Sequence, residues 1–180
     1  MPNKENTISE TAELQNDDSM HIKISVRDLV AFSVKDDAKW SFSSYRLAYE
    51  GSLAHSKIQA MNREEGNYTS EVTLSTSAEA LGFVVEISGR ADGIWRFDDK
   101  TIVHEIKTCT TPLSEIHEGY SDSHWAQGKC YAFMLSEIDD LEKVTVRLTY
   151  YNRDTEEQKS FDRVFSREKL NRFFKTLIYP

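Results

Sequence analysis

The chain has 180 residues, 39% of them hydrophobic and 11% aromatic, with 22 Lys and Arg against 30 Asp and Glu, a net charge of −8 and a pI near 5.2. This length predicts one globular domain with a single core and excludes two independent enzyme domains. No apolar run approaches the ~20 residues of a membrane span, and the polar, acidic N-terminus lacks the pattern of a secretory signal. We therefore expect a cytoplasmic protein with no membrane partner.

Residues 1–20 differ in composition from the rest of the chain. They carry five acids against one base, which is half of the net charge, and they contain no aromatic residue. Such a segment buries too little apolar surface to offset the entropy that it loses on ordering. We predict a disordered acidic leader over residues 1–20 and a single folded domain over residues 21–180.

The first half of the domain alternates between strand and helix patterns. A short strand is predicted near Ile22, and a helical turn follows at Asp28. Apolar residues at three- and four-residue steps predict an amphipathic helix over residues 43–62, with His55 on its apolar face. Runs rich in Val and Ile predict three strands, and turn residues predict the hairpin connections. The strands are expected over residues 71–75, 83–97 and 101–108, with turns at 79–82 and 98–100.

The second half is predicted as a helix over residues 123–136, strands over 144–152 and 158–165, and a last helix over 167–177. Serines supply the cap candidates of both helices, at residues 121–123 and at Ser166. Hairpins rather than crossovers are expected between consecutive strands. The pattern therefore predicts an α/β or α+β domain, with a mixed or mainly antiparallel sheet flanked by helices, and not a doubly wound fold.

The second predicted hairpin holds the residues best suited to chemistry. A turn centred on Asp99 would pair Gly93 with Glu105, which places Asp92 beside Glu105 and Ile106. Two carboxylates this close repel one another unless a cation or a proton lies between them. Oxygen ligands of this kind suit Mg²⁺ or Mn²⁺.

Glu105 and Lys107 are two residues apart, so they share one face of their strand. On an exposed strand the same pair would be a solvated ion pair worth at most about 1 kcal/mol. The apolar residues around both strands favour burial, and buried charges need partners. The spacing alone leaves both interpretations open.

Two cysteines, Cys109 and Cys130, are too few for a disulfide framework and lack the paired spacing of a zinc site. We interpret them as buried thiols of a reducing compartment.

Four segments carry a resemblance to a known family: Gly51-Ser52-Leu53-Ala54-His55, Gly89-Arg90-Ala91-Asp92-Gly93, Glu105-Ile106-Lys107, and Gln127 with Tyr131. In this order they resemble the motifs of the PD-(D/E)XK nuclease superfamily, specifically its RecB-like branch. The segments cover about residues 50–131. Ala91 stands where the motif has proline, which removes no ligand. The chain also resembles nuclease-like domains at the N-terminus of bacterial XPD-like DNA helicases. It lacks the cysteines with which some relatives hold an iron–sulphur cluster, so no cluster is predicted.

The resemblance implies a restriction-endonuclease-like core and metal-dependent hydrolysis of DNA. It implies Asp92, Glu105 and Lys107 as the catalytic residues. The implied ligands of Mg²⁺ or Mn²⁺ are Asp92, Glu105, the backbone carbonyl of Ile106 and His55. Lys107 would position the attacking water and help to deprotonate it, while the cation stabilises the growing negative charge.

The remaining motif residues have implied roles in binding DNA or supporting the site. These residues are Gln127, Tyr131 and Arg90. Without the resemblance, Gln127 and Tyr131 are equally well explained as a polar edge of the core, because residues four apart share one helical face. His55 alone would be explained as a core histidine whose hydrogen bonds are satisfied.

The leading hypothesis is a DNA nuclease, expected to be an exonuclease module of a DNA repair or recombination helicase. No Gly-x-x-x-x-Gly-Lys-Ser/Thr phosphate loop occurs, so the helicase motor would be in another segment or another polypeptide. Two alternatives stay open: a catalytically inactive nucleic-acid-binding or scaffolding module with a nuclease fold, and a metal-dependent hydrolase of another substrate. The excess of acids over bases, −8 over the chain with half of it in residues 1–20, also predicts weak DNA affinity for the domain alone.

Overall fold

The structure is a computed structural model that describes residues 20–34 and 45–179, and the side chains of all of these except residues 45–50. Apart from Met20, the predicted leader lies outside the described residues, as do the first two positions of the helix predicted over 43–62. Ten elements follow in the predicted order: β1 (Met20–Ser25), α1 (Val26–Ser33), α2 (Tyr45–Glu64), β2 (Tyr68–Ala80), β3 (Phe83–Arg96), β4 (Thr101–Cys109), α3 (Asp122–Ile138), β5 (Lys143–Asn152), β6 (Gln158–Ser166) and α4 (Arg167–Ile178).

The strands form one mixed six-stranded sheet, which confirms the predicted class. β2 runs antiparallel to β3 along nearly its whole length. The other edge of β3 is shared by two strands, with β1 parallel beside residues 83–88 and β4 antiparallel beside residues 93–96. β5 then lies parallel to β4, and β6 is antiparallel to β5.

The connection between β4 and β5 differs from the expectation that hairpins join consecutive strands. These two strands are parallel, and α3 forms the crossover between them. Parallel neighbours cannot be joined by a tight turn, because the chain must return to the starting edge of the sheet before the second strand begins. The expectation of hairpins alone was therefore wrong for this pair, although it holds for β2–β3, β3–β4 and β5–β6.

Local sequence signals explain most of the element boundaries. A two-residue turn joins β2 to β3 at Leu81 and Gly82, whose φ values of 52° and 80° are those of the turn type that matches the twist of a hairpin. Serines cap three helices by accepting a hydrogen bond from a backbone N–H three residues later, a contact that typically contributes about 1 kcal/mol. These caps are Ser25, Ser121 and Ser166.

The helices cover both faces of the sheet. Apolar residues of α1, α3 and α4 pack on one face, and Ala54 and Ile58 of α2 pack with Ile106 and Tyr151 on the other. β4 lies between the layers, so every residue from Thr101 to Ile106 is buried. In the described part of the chain, no helix has both the length and the hydropathy needed to cross a membrane.

The β3–β4 hairpin has a different register from the predicted one. Trp95 pairs with Ile102 and Gly93 with His104, so the expected pairing of Gly93 with Glu105 was wrong by one residue. The reason is the turn: the backbone N–H of Phe97 donates to the carbonyl of Lys100 at 2.9 Å. Two residues therefore form the loop, and not three centred on Asp99.

Candidate active site

The candidate residues lie where β3 and β4 separate. The ladder between these strands ends at Gly93 and His104, while β4 continues to pair with β5 as far as Cys109. Just beyond that point the backbone N–H of Ile106 donates to Oδ2 of Asp92 at 2.6 Å. The Asp92 carboxylate thus lies in the gap between the two strands, beside Ile106 as predicted.

On the α3 side of the sheet, Lys107 connects two oxygen acceptors. Its Nζ donates to Oε1 of Glu105 at 2.7 Å and to Oε1 of Gln127, on α3, at 2.6 Å. The side chains of Glu105 and Lys107 are only 7% and 19% exposed. The prediction that they share one face is confirmed, and the interpretation as a solvated surface pair is wrong because both side chains are largely buried.

The two carboxyls differ in their electrostatic surroundings. Burial raises the pKa of the Glu105 carboxyl, the negative charge of Asp92 raises it further, and the contact with Lys107 offsets only part of this change. Burial also opposes ionisation of Asp92. Its hydrogen bond and charge interaction with His55, the N–H of Ile106 and the charge of Lys107 outweigh that cost and hold its pKa below the usual 3.8. The site therefore favours the ionised form of Asp92 more strongly than that of Glu105.

His55 approaches Asp92 from α2, on the opposite side of the sheet from α3. Its Nδ1 lies 3.3 Å from Oδ1 of Asp92. Ala54 and Ile58 of the same helix pack on Ile106 of β4, which fixes the position of α2 over the gap. His55 and Asp92, two of the metal ligands that the resemblance implies, are thus brought together.

Tyr131 lies over the strand that carries Asp92. A Cβ atom added at Gly89 would lie 2.7 Å from the Tyr131 hydroxyl oxygen and 3.1 Å from Cγ2 of Val26. Glycine at this position therefore permits the close approach of α3 and α1 to β3. Tyr131 is buried, and burial raises the pKa of its hydroxyl. It packs against the site from α3, the helix that also carries Gln127.

Arg90 is not among the residues that meet in the gap. Its Nε forms an ion pair with Oε2 of Glu71 at 2.6 Å, and both side chains are substantially exposed. A role in binding DNA is open to it, because the pair lies at the surface.

The sequence interpretation missed three residues on the α2 side: Gln59, Tyr68 and His104. Gln59 Nε2 donates to Oε1 of Glu71 and to the backbone carbonyl of Asp92. The Tyr68 hydroxyl lies 3.1 Å from Nδ1 of His104 and 3.4 Å from the same carbonyl. One signal was available for His104, because it is a polar residue between Ile102 and Ile106 on an apolar face of its strand. Such a residue indicates a buried polar group with hydrogen-bond partners.

A divalent cation matches these residues in donor chemistry. Carboxylates suit Mg²⁺ or Mn²⁺, imidazole adds a preference for Mn²⁺, and a cation would relieve the repulsion that raises the pKa of Glu105. Within residues 20–34 and 45–179, however, no three His, Cys, Asp or Glu side chains converge on one point. Asp92 contacts His55 and Ile106, while Glu105 contacts Lys107. Metal binding would bring Glu105 to the same cation as Asp92, through Oε2 or by exchanging the contact of Oε1 with Lys107.

Comparisons with known proteins identify the architecture but no family. No protein-family model matches the chain, and no curated protein matches it significantly. The crystal structure of SSO0001 superposes with a TM-score of 0.56 at 23% sequence identity, covering 87% of this chain and 75% of that one. A Putative exonuclease from Eubacterium rectale superposes with a TM-score of 0.43 at 10% identity, covering 97% and 83%. The first of these likenesses shows that the fold of this chain recurs in another protein.

Proposed function

We propose that this domain is a metal-dependent nuclease that hydrolyses phosphodiester bonds of DNA. The observation that carries the proposal is the buried Glu105–Lys107 pair beside Asp92, at the point where β3 and β4 separate. Buried charges cost free energy to desolvate, so a site that holds three of them together favours a chemical role over a purely structural one.

Each residue of the set has a definite task in phosphodiester hydrolysis. Asp92, Glu105, the carbonyl of Ile106 and His55 would hold Mg²⁺ or Mn²⁺, which supplies a positive charge for the developing negative charge on the phosphoryl oxygens. Lys107 has three N–H donors. With two directed at Glu105 and Gln127, the third can orient the attacking water or a phosphate oxygen.

The substrate and partner follow from the resemblance and the charge. The chain has a net charge of −8, half of it in residues 1–20, so the domain has little long-range attraction for DNA, and charges beyond ~8 Å are screened at physiological salt. We propose that the domain acts as an exonuclease module that a helicase, in the same or another polypeptide, supplies with DNA for repair or recombination.

One observation favours a second candidate function. Since no three ligand side chains converge among the described residues, and since Lys107 already neutralises Glu105, the same structure would serve a catalytically inactive module that binds nucleic acid or holds a partner. The two functions differ in whether the carboxylates can accept a metal ion.

Digestion of end-labelled single- and double-stranded DNA by the purified chain separates the two candidates. We expect cleavage in Mn²⁺, none in EDTA, and a loss of about a hundredfold or more in Asp92→Asn. The matched control is Asp99→Asn, in the exposed hairpin turn, which should cleave at the wild-type rate. DNA binding without cleavage would favour the inactive module, and cleavage that survives EDTA or Asp92→Asn would overturn the proposal. Product lengths distinguish trimming from an end from internal cutting.

A further inference from the structure

Gln59 is a buried polar residue that the proposed mechanism does not use. It lies on α2 four residues after His55, so both side chains project from the same face of the helix, one turn apart. The residue is only 4% exposed. A buried amide costs free energy unless its hydrogen bonds are made, so Gln59 needs acceptors for both of its amide hydrogens.

Both amide hydrogens of Gln59 have acceptors. Nε2 lies 2.6 Å from Oε1 of Glu71 and 2.9 Å from the backbone carbonyl oxygen of Asp92. The first contact joins α2 to β2, and the second joins α2 to the strand that carries the candidate catalytic carboxylate.

The Asp92 backbone needs such a partner because the ladders on both sides skip it. Among the strand pairs of the described residues, β2 pairs with Ala91 and Gly93 but not with Asp92, and the β3–β4 ladder stops at Gly93. On β2 the residue between the two paired positions is Glu71, whose φ of 57° takes it out of the extended conformation. An irregular strand position is free to shift unless side chains hold it.

Tyr68 is a less constant donor to the same carbonyl. Its hydroxyl has one proton and lies near both Nδ1 of His104, at 3.1 Å, and the Asp92 carbonyl, at 3.4 Å. It can donate to only one of them at a time. The Gln59 amide, at 2.9 Å, donates to the carbonyl in either case.

We propose that Gln59 is a positioning residue that fixes the backbone of Asp92 and thereby the direction of its carboxylate. This inference rests on the proposed nuclease function. His55 contacts Oδ1 of Asp92 and Gln59 contacts its main-chain oxygen, so one helix holds the residue at both ends. Loss of the Gln59 contact lets the Asp92 segment move and weakens the hydrogen bond from Ile106 to Oδ2.

The test uses Gln59→Met, which keeps the volume of the side chain and removes its donors. The first readout is hydrogen exchange of the Ile106 amide, measured by NMR relative to the Val146 amide in the centre of β5. We expect the Ile106 amide to exchange about tenfold faster than in the wild type, with the Val146 amide as the control for global stability. The second readout is DNA cleavage in Mn²⁺, where kcat should fall about tenfold or more while KM changes less than about twofold.

A double variant separates positioning from the link between α2 and β2. In Gln59→Glu with Glu71→Gln, the amide at 71 can donate to the carboxylate at 59, which restores the link to β2, but nothing at 59 donates to Asp92. We expect both defects to persist in the double variant and to be absent from Glu71→Gln alone.

The outcomes distinguish failure of the inference from failure of the proposed function. Unchanged Ile106 exchange in Gln59→Met, or exchange restored in the double variant, overturns the positioning role whether or not the chain cleaves DNA. Faster Ile106 exchange in a chain that cleaves no DNA supports the positioning of Asp92 and counts against the nuclease activity.

Discussion

The two faces of β4 bury polar groups in opposite ways. On the α3 face, Glu105 and Lys107 form a charged pair, with Gln127 as a further acceptor. On the α2 face, His104 lies between Tyr68 and Thr149 in a chain of neutral hydrogen bonds, and burial lowers its pKa to about 3. Neighbouring residues of one strand thus lie in a charged and a neutral environment.

The difference indicates a division of roles. Neutral hydrogen bonds satisfy buried groups at small cost and hold the strands in place, whereas buried charges pay a desolvation penalty that structure alone seldom requires. Within β4, the residue on the α2 face is therefore interpreted as support of the site and those on the α3 face as reactive, while His55 reaches Asp92 from α2 as a proposed metal ligand. Four predictions test this contrast, from the largest expected effect to the smallest.

Lys107→Ala should have the largest effect, because it removes the ammonium group that contacts buried Glu105. We expect DNA cleavage in Mn²⁺ to fall about a thousandfold, and the free energy of unfolding in urea to drop by about 3 kcal/mol. The control is Lys23→Ala, whose exposed pair with Glu86 should be dispensable for both measurements. Cleavage at the wild-type rate in Lys107→Ala would remove the α3 face from the chemistry.

Gly93→Ala should destabilise the fold by disrupting the packing on the α2 face. A Cβ atom at this position would overlap the phenol ring of Tyr68, which packs against Trp95 and His104. Relief of the overlap requires Tyr68 to leave its place, and we expect a loss of about 3 kcal/mol in urea denaturation. Gly119→Ala is the matched control, because its Cβ would meet only the His117 ring at an ordinary 3.6 Å. Equal denaturation midpoints for both variants would contradict this packing.

Gln127→Leu should lower the rate of cleavage with little loss of stability. Lys107 would keep Glu105 and lose its second acceptor, so its ammonium group would be less well oriented. We expect a fall of about tenfold in kcat with an unchanged KM, measured by steady-state kinetics on single-stranded DNA. A higher KM with an unchanged kcat would instead assign Gln127 to DNA binding alone.

His104 should make stability depend on pH. Its pKa is about 3 in the folded chain and about 6.5 when unfolded. As the pH falls, the imidazole therefore binds a proton in the unfolded state at a higher pH than in the folded state. The stabilisation that neutral His104 provides is present above pH 6.5 and is lost progressively towards pH 3. Between pH 7 and 5.5, the wild type should lose about 1 kcal/mol more than His104→Gln in urea denaturation. Parallel pH profiles would show that His104 is not held neutral.

Much of the architecture could be predicted because it depends on local patterns. The order of helices and strands follows from hydrophobic periodicity, and Ser121 and Ser166 cap the helices that they were expected to cap. β2 was predicted over residues 71–75 but spans Tyr68–Ala80. Its second half is rich in Ser, Thr and Ala, so its alternation of half-buried and exposed residues is only weakly marked by hydrophobicity, and it becomes a strand because it pairs with β3.

The site was predictable only in part, because only some of its contacts depend on local patterns. Glu105 and Lys107 share a face because a strand has a period of two, which any strand would provide. The contact from Lys107 to Gln127 depends on where α3 packs, and the role of Gln59 depends on the irregular backbone at Asp92. Gln127 was singled out only by the motif that it forms with Tyr131, and Gln59 leaves no pattern in the sequence.

The shared edge of β3 also has a consequence for the order of folding. β2 and β3 are neighbours in sequence and can pair early, whereas β1 reaches its place only when Ser25 meets Ser88, after a long loop has closed. α1 begins directly after β1, and its first residue, Val26, lies against the backbone at Gly89. We therefore expect the surroundings of Asp92 to be completed late in folding. The slow step is the pairing of β1 with β3 and the packing of α1, which follow formation of the β2–β3 hairpin.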